Sequence, residues 1–431
     1  MRGIANLELT VELAVSLGRA AGSQLTVGPA VVGRDTRRSG EMLSLALQAG
    51  FQSAGIDTID IGVMPSGGIS HLTAATGATM GAVVSASHNP AADNGIKFLG
   101  ANGSKLTDAD EDSIEAVVRS SNARIPTGSG VATRFQDSTA FQRYVDFLAS
   151  VSRYSHRGLN LAIDAANGAA FKAAPAVFGK LRANVEAWAV EPDGNNINLN
   201  CGSNYPEFLA TRAGGRIGLA FDGDADRLLA IDEDGQPVNG DVIMAIVALA
   251  WKDQGKLKNN TVVATVMSNL GFRRAMEAAG ITVVTTKVGD RYVLEAMQEH
   301  KAVLGGEQSG HVIFLDKART GDGLLTAIRL LDVVAGTGKE LRQLRREAMV
   351  EFPQVLKNVR VDRGAQLESA KDLWEAVRQA ETELGDEGRI LIRSSGTEPV
   401  VRVMVEAASE SVATGYADQL AALVAKELAN H

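Results

Sequence analysis

The feature that most constrains the fold is a recurring pattern of a short apolar run, a small polar tip and a helical stretch. In the first part of the chain, apolar runs typical of buried strands occupy 31–32, 58–61 and 82–85, and stretches with helical spacing separate them. Such alternation is typical of a mostly parallel sheet with helices on both faces. Ligands of such sheets bind at the carboxyl ends of the strands, where the polar tips lie.

The same order recurs twice further along the chain. Strands are predicted at 159–163 and 217–221 in a second block and at 261–267 in a third, each followed by a polar tip. Sequence identity between the blocks is weak but their order is similar, so we predict three related α/β domains with mixed sheets.

The last block differs from the others. Strands at 354–361, 389–393 and 400–406 alternate with helices at 366–384 and 412–429, which predicts a small α+β domain with an antiparallel sheet. The predicted domain boundaries are 1–150, 151–240, 241–353 and 354–431. A hinge is expected at Phe352-Pro353.

Composition excludes several classes of protein. With 45% hydrophobic and 22% charged residues, the chain is typical of globular proteins, and its net charge of −8 argues against general nucleic-acid binding. No apolar run approaches the roughly 18 residues of a membrane span, and the first residues do not form a signal peptide. Cys201 is the only cysteine, which excludes an intrachain disulfide and favours a cytoplasmic protein.

The stretch 83–97 contains a candidate nucleophile. A strand ends at 84–85, Ser87 follows at its exit, and Pro90 ends regular structure there. Asn94-Gly95 predicts a tight turn that returns the chain as a second strand carrying Lys97. A hydroxyl with an amine beside it is a layout for nucleophilic catalysis. The alternative is an ordinary polar loop after a core strand.

Asp222, Asp224 and Asp226 form a candidate metal site. Gly223 favours a loop in which the three carboxylates converge, and three oxygen ligands suit Mg²⁺. An EF-hand is excluded because Arg227 occupies the position that needs glycine. A haloacid-dehalogenase-type Asp-x-Asp pair fits less well, and a solvated acidic turn is the structural alternative.

Two further loops carry polar groups suited to a phosphorylated sugar. In the loop 305–311, the carboxylate and hydroxyl of Glu307 and Ser309 suit sugar hydroxyls, and His311 can transfer protons near neutral pH. The alternative is a polar hairpin.

The second loop combines hydroxyls, a glycine and two guanidiniums, which is typical of an anion-binding nest. Its residues are Arg393, Ser395, Gly396, Thr397 and Arg402. It is not a P-loop, since the Gly-Lys-Ser/Thr sequence is missing. A surface turn is the alternative.

Together these features indicate phosphoryl transfer, and their order resembles a known family. The segments 85–90, 222–227, 306–311 and 393–399 are similar to the four motifs of the α-D-phosphohexomutases, and they span nearly the whole chain. Gln308 resembles the branch that acts on glucosamine phosphates, whereas branches that act on mannose or glucose phosphates often carry Met there. Those branches are the alternative.

The resemblance implies that the four domains, arranged around a central cleft, carry the phosphoserine, the metal, the sugar and the phosphate in that order. It also implies a mechanism. Ser87 would carry a phosphoryl group, with Mg²⁺ held by that phosphate and the three aspartates. Glucosamine 6-phosphate and glucosamine 1-phosphate would interconvert through a hexosamine 1,6-bisphosphate, for amino-sugar nucleotide and cell-wall precursor synthesis. The catalytic residues would be Ser87, Lys97, His311 and Arg2, and the substrate-binding residues Arg227, Glu307, Ser309 and His311. The resemblance also allows a homodimer.

One departure from the family affects the expected activity. The family normally begins with a strand ending in Phe-Gly-Thr-Asp-Gly-Ile-Arg-Gly, whereas here Met1 directly precedes Arg2-Gly3. We therefore expect that a first strand is missing and that little holds Arg2 in place. The corresponding functional alternative is a phosphosugar-binding homologue with weak catalysis.

Overall fold

The computed structural model describes residues 1–362, 366–395 and 399–428. These residues form two compact units, one of Met1–Met267 with Gly280–Ala348 and one of Ser268–Ala279 with the described residues from Met349 onward. The first unit contains three mixed sheets and the second contains one antiparallel sheet. The prediction of three α/β blocks followed by an α+β domain is confirmed. Within the described ranges, no helix is long and apolar enough to cross a bilayer.

The first sheet has the strand order β1-β5-β4-β2-β3-β6, in which β1 and β5 are antiparallel to their neighbours. Its elements are β1 (Arg2–Ile4), α1 (Val11–Ser23), β2 (Ala30–Arg34), α2 (Gly40–Ser53), β3 (Thr58–Val63), α3 (Ser66–Ala75), β4 (Met80–Val84), β5 (Asp93–Gly100), α4 (Asp108–Ser120) and β6 (Arg134–Gln136). Thr10 caps α1, since its Oγ1 accepts a 3.2 Å hydrogen bond from Leu13 N–H.

The turn predicted at Asn94-Gly95 was wrong. Both residues lie inside β5, which pairs antiparallel with β4 so that Lys97 lies opposite Val83. A Cβ at Gly95 would lie 2.6 Å from the backbone oxygen of Ser85. The glycine therefore allows a close approach between strands, and the loop that carries Ser87 connects β4 to β5.

The expectation that little holds Arg2 was also wrong. Arg2 lies on β1, which pairs antiparallel with β5 and places Arg2 opposite Gly95. The backbone of Met1 adds two hydrogen bonds to Ile96, each 3.0 Å long. The first residues are therefore part of the sheet, directly beside the strand that carries Lys97.

The second sheet has the order β11-β10-β9-β7-β8. Its elements are α5 (Ala140–Val151), β7 (Asn160–Asp164), α6 (Ala170–Lys180), β8 (Asn184–Trp188), α7 (Pro206–Ala213), β9 (Ile217–Phe221), β10 (Leu228–Ile231) and β11 (Pro237–Val238). Strands β9 and β10 form an antiparallel hairpin, and the loop 222–227 is its tip.

The third sheet has the order β13-β12-β14-β15. The elements from 240 to 348 are α8 (Gly240–Asp253), β12 (Thr261–Thr265), α9 (Leu270–Ala278), which belongs to the second unit, β13 (Thr282–Thr286), α10 (Asp290–Glu299), β14 (Leu304–Gly306), β15 (Val312–Phe314), α11 (Gly323–Thr337) and α12 (Leu341–Ala348). The hairpin of β14 and β15 carries the loop 307–311 at its tip.

The second unit has a three-stranded antiparallel sheet in the order β16-β18-β17. Its further elements are β16 (Gln354–Arg360), α13 (Lys371–Leu384), β17 (Gly388–Ser394), β18 (Val400–Ala407) and α14 (Glu410–Leu428). Helix α9 is attached to it because the Asn269 side chain exchanges hydrogen bonds of 2.9 and 3.0 Å with the backbone of Phe352. The four predicted domain boundaries stay predictions.

Candidate active site

The loop after β4 meets the tip of the β9–β10 hairpin. Ser87 Oγ donates a 2.5 Å hydrogen bond to Asp222 Oδ2, and both side chains are buried. Ser87 has a left-handed backbone with φ of +52°, an unfavourable conformation for a residue with a Cβ. The predicted nucleophile and the first predicted metal ligand are thus in direct contact.

Asp222, Asp224 and Asp226 lie together as predicted. Each offers a carboxylate oxygen within 4.8 Å of the others, and all three are buried. Among the described residues, Asp224 Oδ1 and Asp226 Oδ1 are buried without a hydrogen-bond partner. Unpaired buried carboxylate oxygens are costly, and a hard divalent cation satisfies them. The three residues therefore fit a magnesium ion.

The backbone of the loop 222–227 has one left-handed residue. Gly223 does not supply the left-handed residue of this loop, because Ala225 does, with φ of +57°. A Cβ at Gly223 would instead lie 2.5 Å from the backbone oxygen of Ser87. The glycine thus allows the metal loop to pack against the loop of the nucleophile.

Lys97 and Ser66 both contact Asp224. Lys97 Nζ lies 2.9 Å from Asp224 Oδ2, and Ser66 Oγ donates a 2.8 Å hydrogen bond to the same oxygen. Burial alone lowers the pKa of Lys97, but the charges of Asp224 and Asp226 outweigh it and raise that pKa. Lys97 is therefore a cation in this site. Ser66 was not predicted as a site residue, because its only distinctive feature in the sequence is its position after Pro65 at the start of α3.

The three carboxylates differ in their affinity for protons. Burial, and then the charges of Asp226 and Asp224, raise the pKa of Asp222 well above its usual range. Burial also favours the neutral form of Asp226, but His311 opposes it and holds the pKa of Asp226 well below its usual range. A bound cation would favour the ionised form of all three.

His311 is buried beside this trio. Its Nδ1 lies 3.4 Å from Asp226 Oδ2, and its Nε2 accepts a 3.0 Å hydrogen bond from Gly321 N–H. Because Nε2 accepts, the ring proton is on Nδ1, facing the carboxylate. Asp290 Oδ2 lies 3.5 Å from Nε2. Both ring nitrogens are thus engaged by protein groups.

The backbone of the nucleophile loop is held by the side chains of Arg37 and Asn198. Arg37 donates hydrogen bonds from Nη2 to the backbone oxygens of Ser87 and Asn89, 2.9 and 2.8 Å long. Asn198 Nδ2 donates to the same two oxygens, at 2.9 and 3.1 Å. Arg34, at the end of β2, forms ion pairs elsewhere, and Asp60 is its nearer partner.

Arg2 and His88 lie close to the side chains of the nucleophile loop. Arg2 Nη1 donates a 3.1 Å hydrogen bond to Asn89 Oδ1. His88 Nδ1 lies 3.5 Å from Ser87 Oγ. Burial, and then the charges of Arg227 and Arg2, lower the pKa of His88 to about 4, so its imidazole is neutral at neutral pH. His88 was not among the predicted catalytic residues.

The conformation of the predicted sugar loop depends on Gly310. A Cβ at Gly310, which has φ of +91°, would collide with the backbone oxygen of Leu228, so only glycine lets this loop approach the metal-loop hairpin. Glu307 Oε1 accepts a 3.0 Å hydrogen bond from Gly289 N–H. Ser309 is exposed, and the predicted substrate ligand Arg227 lies 3.8 Å from Asp226, measured from Nε to Oδ1.

The predicted phosphate loop lies in the second unit. Arg393 on β17 is directly opposite Arg402 on β18, which places both side chains on one face of the sheet. Ser395 N–H donates a 2.8 Å hydrogen bond to Val400 O across the loop. Gly396 and Thr397 lie outside the described residues.

Family comparisons cover almost all of the chain. Four stretches match the models named phosphoglucomutase/phosphomannomutase: alpha/beta/alpha domain I at residues 1–124, domain II at 142–235, domain III at 239–352 and the C-terminal domain at 356–423. The four matches follow in the order of the blocks read from the sequence.

Individual relatives are similar over nearly their whole length. The phosphoglucosamine mutase of Desulforudis audaxviator is 49% identical over 434 residues, covering 98% of this chain and 96% of the relative. That of Rhodococcus jostii is 49% identical over 435 residues, covering 99% and 98%. A solved phosphoglucomutase/phosphomannomutase family protein of Burkholderia thailandensis has a TM-score of 0.83 at 25% identity, with 99% and 96% covered. The Aspergillus fumigatus N-acetylphosphoglucosamine mutase shares the fold, with a TM-score of 0.67, 17% identity and 96% and 99% covered.

Proposed function

This chain belongs to the phosphoglucomutase/phosphomannomutase family, and we propose that it interconverts glucosamine 6-phosphate and glucosamine 1-phosphate. The observation that carries the proposal is the 2.5 Å contact between Ser87 Oγ and Asp222 Oδ2, inside a trio of buried aspartates. Relatives that are about half identical over nearly the full chain, such as that of Rhodococcus jostii, are phosphoglucosamine mutases. The enzyme is an isomerase that moves a phosphoryl group within its substrate.

The reaction proceeds in two transfers. In the first, the O1 hydroxyl of glucosamine 6-phosphate attacks the phosphorus of phosphoserine 87 and gives its proton to a base. The bond from Ser87 Oγ to phosphorus breaks, and Ser87 Oγ takes up a proton from an acid. The resulting 1,6-bisphosphate reorients in the site. In the second, the Ser87 hydroxyl attacks the phosphorus at O6 and gives its proton to a base, the bond from O6 to phosphorus breaks, and O6 takes up a proton. Glucosamine 1-phosphate leaves and the phosphoserine is restored.

Asp222, Asp224 and Asp226 would hold Mg²⁺, which supplies charge neutralisation for the transferred phosphoryl group. The protein positions the reacting atoms. Arg37 and Asn198 fix the backbone of Ser87, whose left-handed conformation presents Oγ to Asp222. Phosphoryl transfer depends mainly on such positioning and on electrostatic stabilisation.

Lys97 and His311 are the proposed acid and base, with Arg2 assisting near the phosphoserine. The geometry favours Lys97 for proton exchange with the reacting hydroxyl, because its ammonium group contacts Asp224, one of the three aspartates. Because Asp224 and Asp226 raise the pKa of Lys97, Lys97 would carry the proton that a departing oxygen takes up. His311 would mainly hold Asp226 in place, since Gly321 occupies its other nitrogen.

The sugar and its distal phosphate would be bound by the two remaining loops. Glu307 and Ser309 would contact the O3 and O4 edge, with Arg227 and His311 beside them. Arg393 and Arg402 are directly opposite on neighbouring strands, so their side chains lie on one face of the sheet. With Ser395, Gly396 and Thr397, they would bind the phosphate that is not being transferred. A cytoplasmic location and a homodimer stay predictions.

The test is a coupled assay of glucosamine 1-phosphate formation, with Mg²⁺ and a trace of hexosamine 1,6-bisphosphate. We expect turnover with glucosamine 6-phosphate at a higher kcat/KM than with glucose or mannose 6-phosphate. A preference for mannose 6-phosphate would overturn the substrate assignment. Binding of sugar phosphate without turnover would favour the weakly catalytic homologue.

A further inference from the structure

A second cavity on the first unit shares no lining residue with the site around Ser87. It lies between the loop after α5, the end of α8 and the middle of α11, and its volume is about 230 Å³. Its lining includes the aromatic side chains of Tyr154 and Trp251 and three cations. Those cations are Arg153, Lys256 and Arg329, in a chain whose net charge is −8.

Arg329 is the deepest of the three cations, with only 7% of its surface exposed. Its guanidinium lies 5.2 Å from the centre of the Trp251 ring and 5.8 Å from that of Phe314. Nη2 donates a 2.7 Å hydrogen bond to Asp316, whereas Nε is buried without a partner in the part of the chain that the structure describes. The group is therefore held in one orientation by two rings, with hydrogen-bonding capacity left over.

The other two cations are exposed and lack carboxylate partners. Within the described ranges, Lys256 Nζ hydrogen-bonds only to the side-chain oxygen of Gln254, and the guanidinium of Arg153 forms no ion pair. Burial, and then the charges of Arg153 and Arg329, lower the pKa of Lys256. The three like charges therefore repel one another across the cavity.

The two carboxylates in the lining are engaged elsewhere. Asp316 is paired with Arg329. Asp332 accepts hydrogen bonds from the hydroxyl of Ser152, from Arg153 N–H at 3.3 Å and from His156 Nε2 at 3.2 Å, and so holds the loop after α5. Asp332 partly offsets the repulsion at Lys256, but within the described ranges neither carboxylate bonds to the side chain of Arg153 or Lys256.

We propose that this cavity binds a small anionic metabolite through a phosphate or carboxylate group. The oxyanion contacts Arg153, Lys256 and Arg329, and the rings of Trp251 and Tyr154 flank the remainder of the molecule. A cavity of this volume suits a small organic acid or an inorganic phosphate. The proposal does not depend on the mutase activity.

Trp251 provides a reporter inside the cavity. In the full chain carrying Trp188→Phe and Trp374→Phe, it is the single tryptophan, and its fluorescence is titrated with inorganic phosphate and separately with malonate. We expect a saturable change with at least one of them and none with sodium chloride at equal ionic strength. Arg153→Gln and Lys256→Gln should each raise the midpoint about tenfold, since each removes one charged hydrogen bond.

The controls separate this cavity from the phosphate loop proposed above. Arg393→Gln should leave the Trp251 response unchanged. An equal response to chloride, a midpoint unchanged in both Arg153→Gln and Lys256→Gln, or a response lost in Arg393→Gln would each overturn the proposal. Because Arg153 and Lys256 are exposed, both variants are expected to fold, so the test does not depend on replacing the buried Arg329.

Discussion

Arg37 donates a 2.9 Å hydrogen bond from Nη2 to the backbone carbonyl oxygen of Ser87. The same side chain is buried and bonds through Nε to Asp35, which in turn accepts a 2.5 Å hydrogen bond from Ser85. It also donates from Nη1 to the backbone oxygen of Asp93 at 2.9 Å. One guanidinium thus connects the start of the nucleophile loop, its reactive residue and the strand that follows.

Replacement of Arg37 by lysine is expected to misplace the nucleophile. An ammonium group keeps the charge but cannot make this set of hydrogen bonds, so we expect a loss of about 1–3 kcal/mol in the free energy of unfolding. Phosphate incorporation at Ser87 should slow by about tenfold or more in protein that is still folded. Urea unfolding and the rate of phosphorylation by the bisphosphate measure the two effects.

The matched control is Arg38→Lys, because Arg38 is the neighbouring arginine and is exposed. It should change neither quantity. If Arg37→Lys lost stability but incorporated phosphate at the normal rate, Arg37 would be a structural residue only.

The backbone of Ser87 predicts an unusual order of stabilities. Its φ of +52° is unfavourable for any residue with a Cβ but not for glycine. We therefore expect Ser87→Gly to be about 1 kcal/mol more stable than Ser87→Ala. Neither variant should gain the mass of a phosphate when incubated with bisphosphate. Equal stabilities would show that the loop relaxes once the hydroxyl is removed.

The substitutions Gly223→Ala and Ala225→Gly are expected to change the stability of the protein in opposite directions. Gly223→Ala places a Cβ against the backbone oxygen of Ser87, so we expect lower stability and a large loss of kcat. Ala225→Gly relieves a left-handed backbone with φ of +57° and should stabilise the protein by about 1 kcal/mol. Thermal unfolding of both variants checks this, and a stabilising Gly223→Ala would contradict it.

Local patterns were sufficient to predict most of the strands and the residue types of the site. The strand predicted at 217–221 agrees residue for residue with β9, because an apolar run between polar turns has few alternative structures. Ser87 and the three aspartates could be named because a nucleophile and a set of hard oxygen ligands are recognisable by residue type.

Contacts between distant segments could not be predicted in the same way. Ser66 donates to Asp224 from 158 residues away, and Asn198 bonds to Ser87 from 111 residues away. Neither residue has a distinctive local pattern. Asn94-Gly95 has the composition of a turn, but the approach of two other chain segments determines the conformation there. Local sequence shows which residues are able to form a turn. Which strand lies next to a given strand in a sheet depends on the whole fold.

His71 gives a prediction for the pH dependence of stability. Its ring stacks on Phe147 at 3.7 Å, and burial, followed by the charge of Arg143, lowers its pKa from 6.5 to about 4. Between these values the unfolded chain binds the proton and the folded chain does not, so the free energy of unfolding falls as the pH drops from about 6.5 to about 4.

The test replaces His71 by phenylalanine, which keeps the ring stack and removes the titrating group. His71→Phe should lose less stability across this pH window than the unaltered protein, as measured by urea unfolding at several pH values. His300→Gln, at an exposed histidine, is the matched control and should follow the unaltered protein. The same slope in all three proteins would rule out this contribution of His71.

Asp224→Asn tests the metal site itself. Asp224 is buried, one of its oxygens is occupied by Lys97 and Ser66, and the other has no hydrogen-bond partner among the described residues. The amide keeps the volume but removes a charged ligand. Changes in groups that merely support metal ligands cost about 10–100-fold in metal affinity, so the Mg²⁺ concentration for half-maximal activity should rise about tenfold or more.

Mg²⁺ should also raise the Tm of the unaltered protein by mass action and raise that of Asp224→Asn less. Asp253→Asn, which removes an exposed carboxylate, should match the unaltered protein in both measurements. An unchanged Mg²⁺ titration in Asp224→Asn would remove this residue from the ligand set, because loss of a direct ligand cannot leave the affinity of the ion intact.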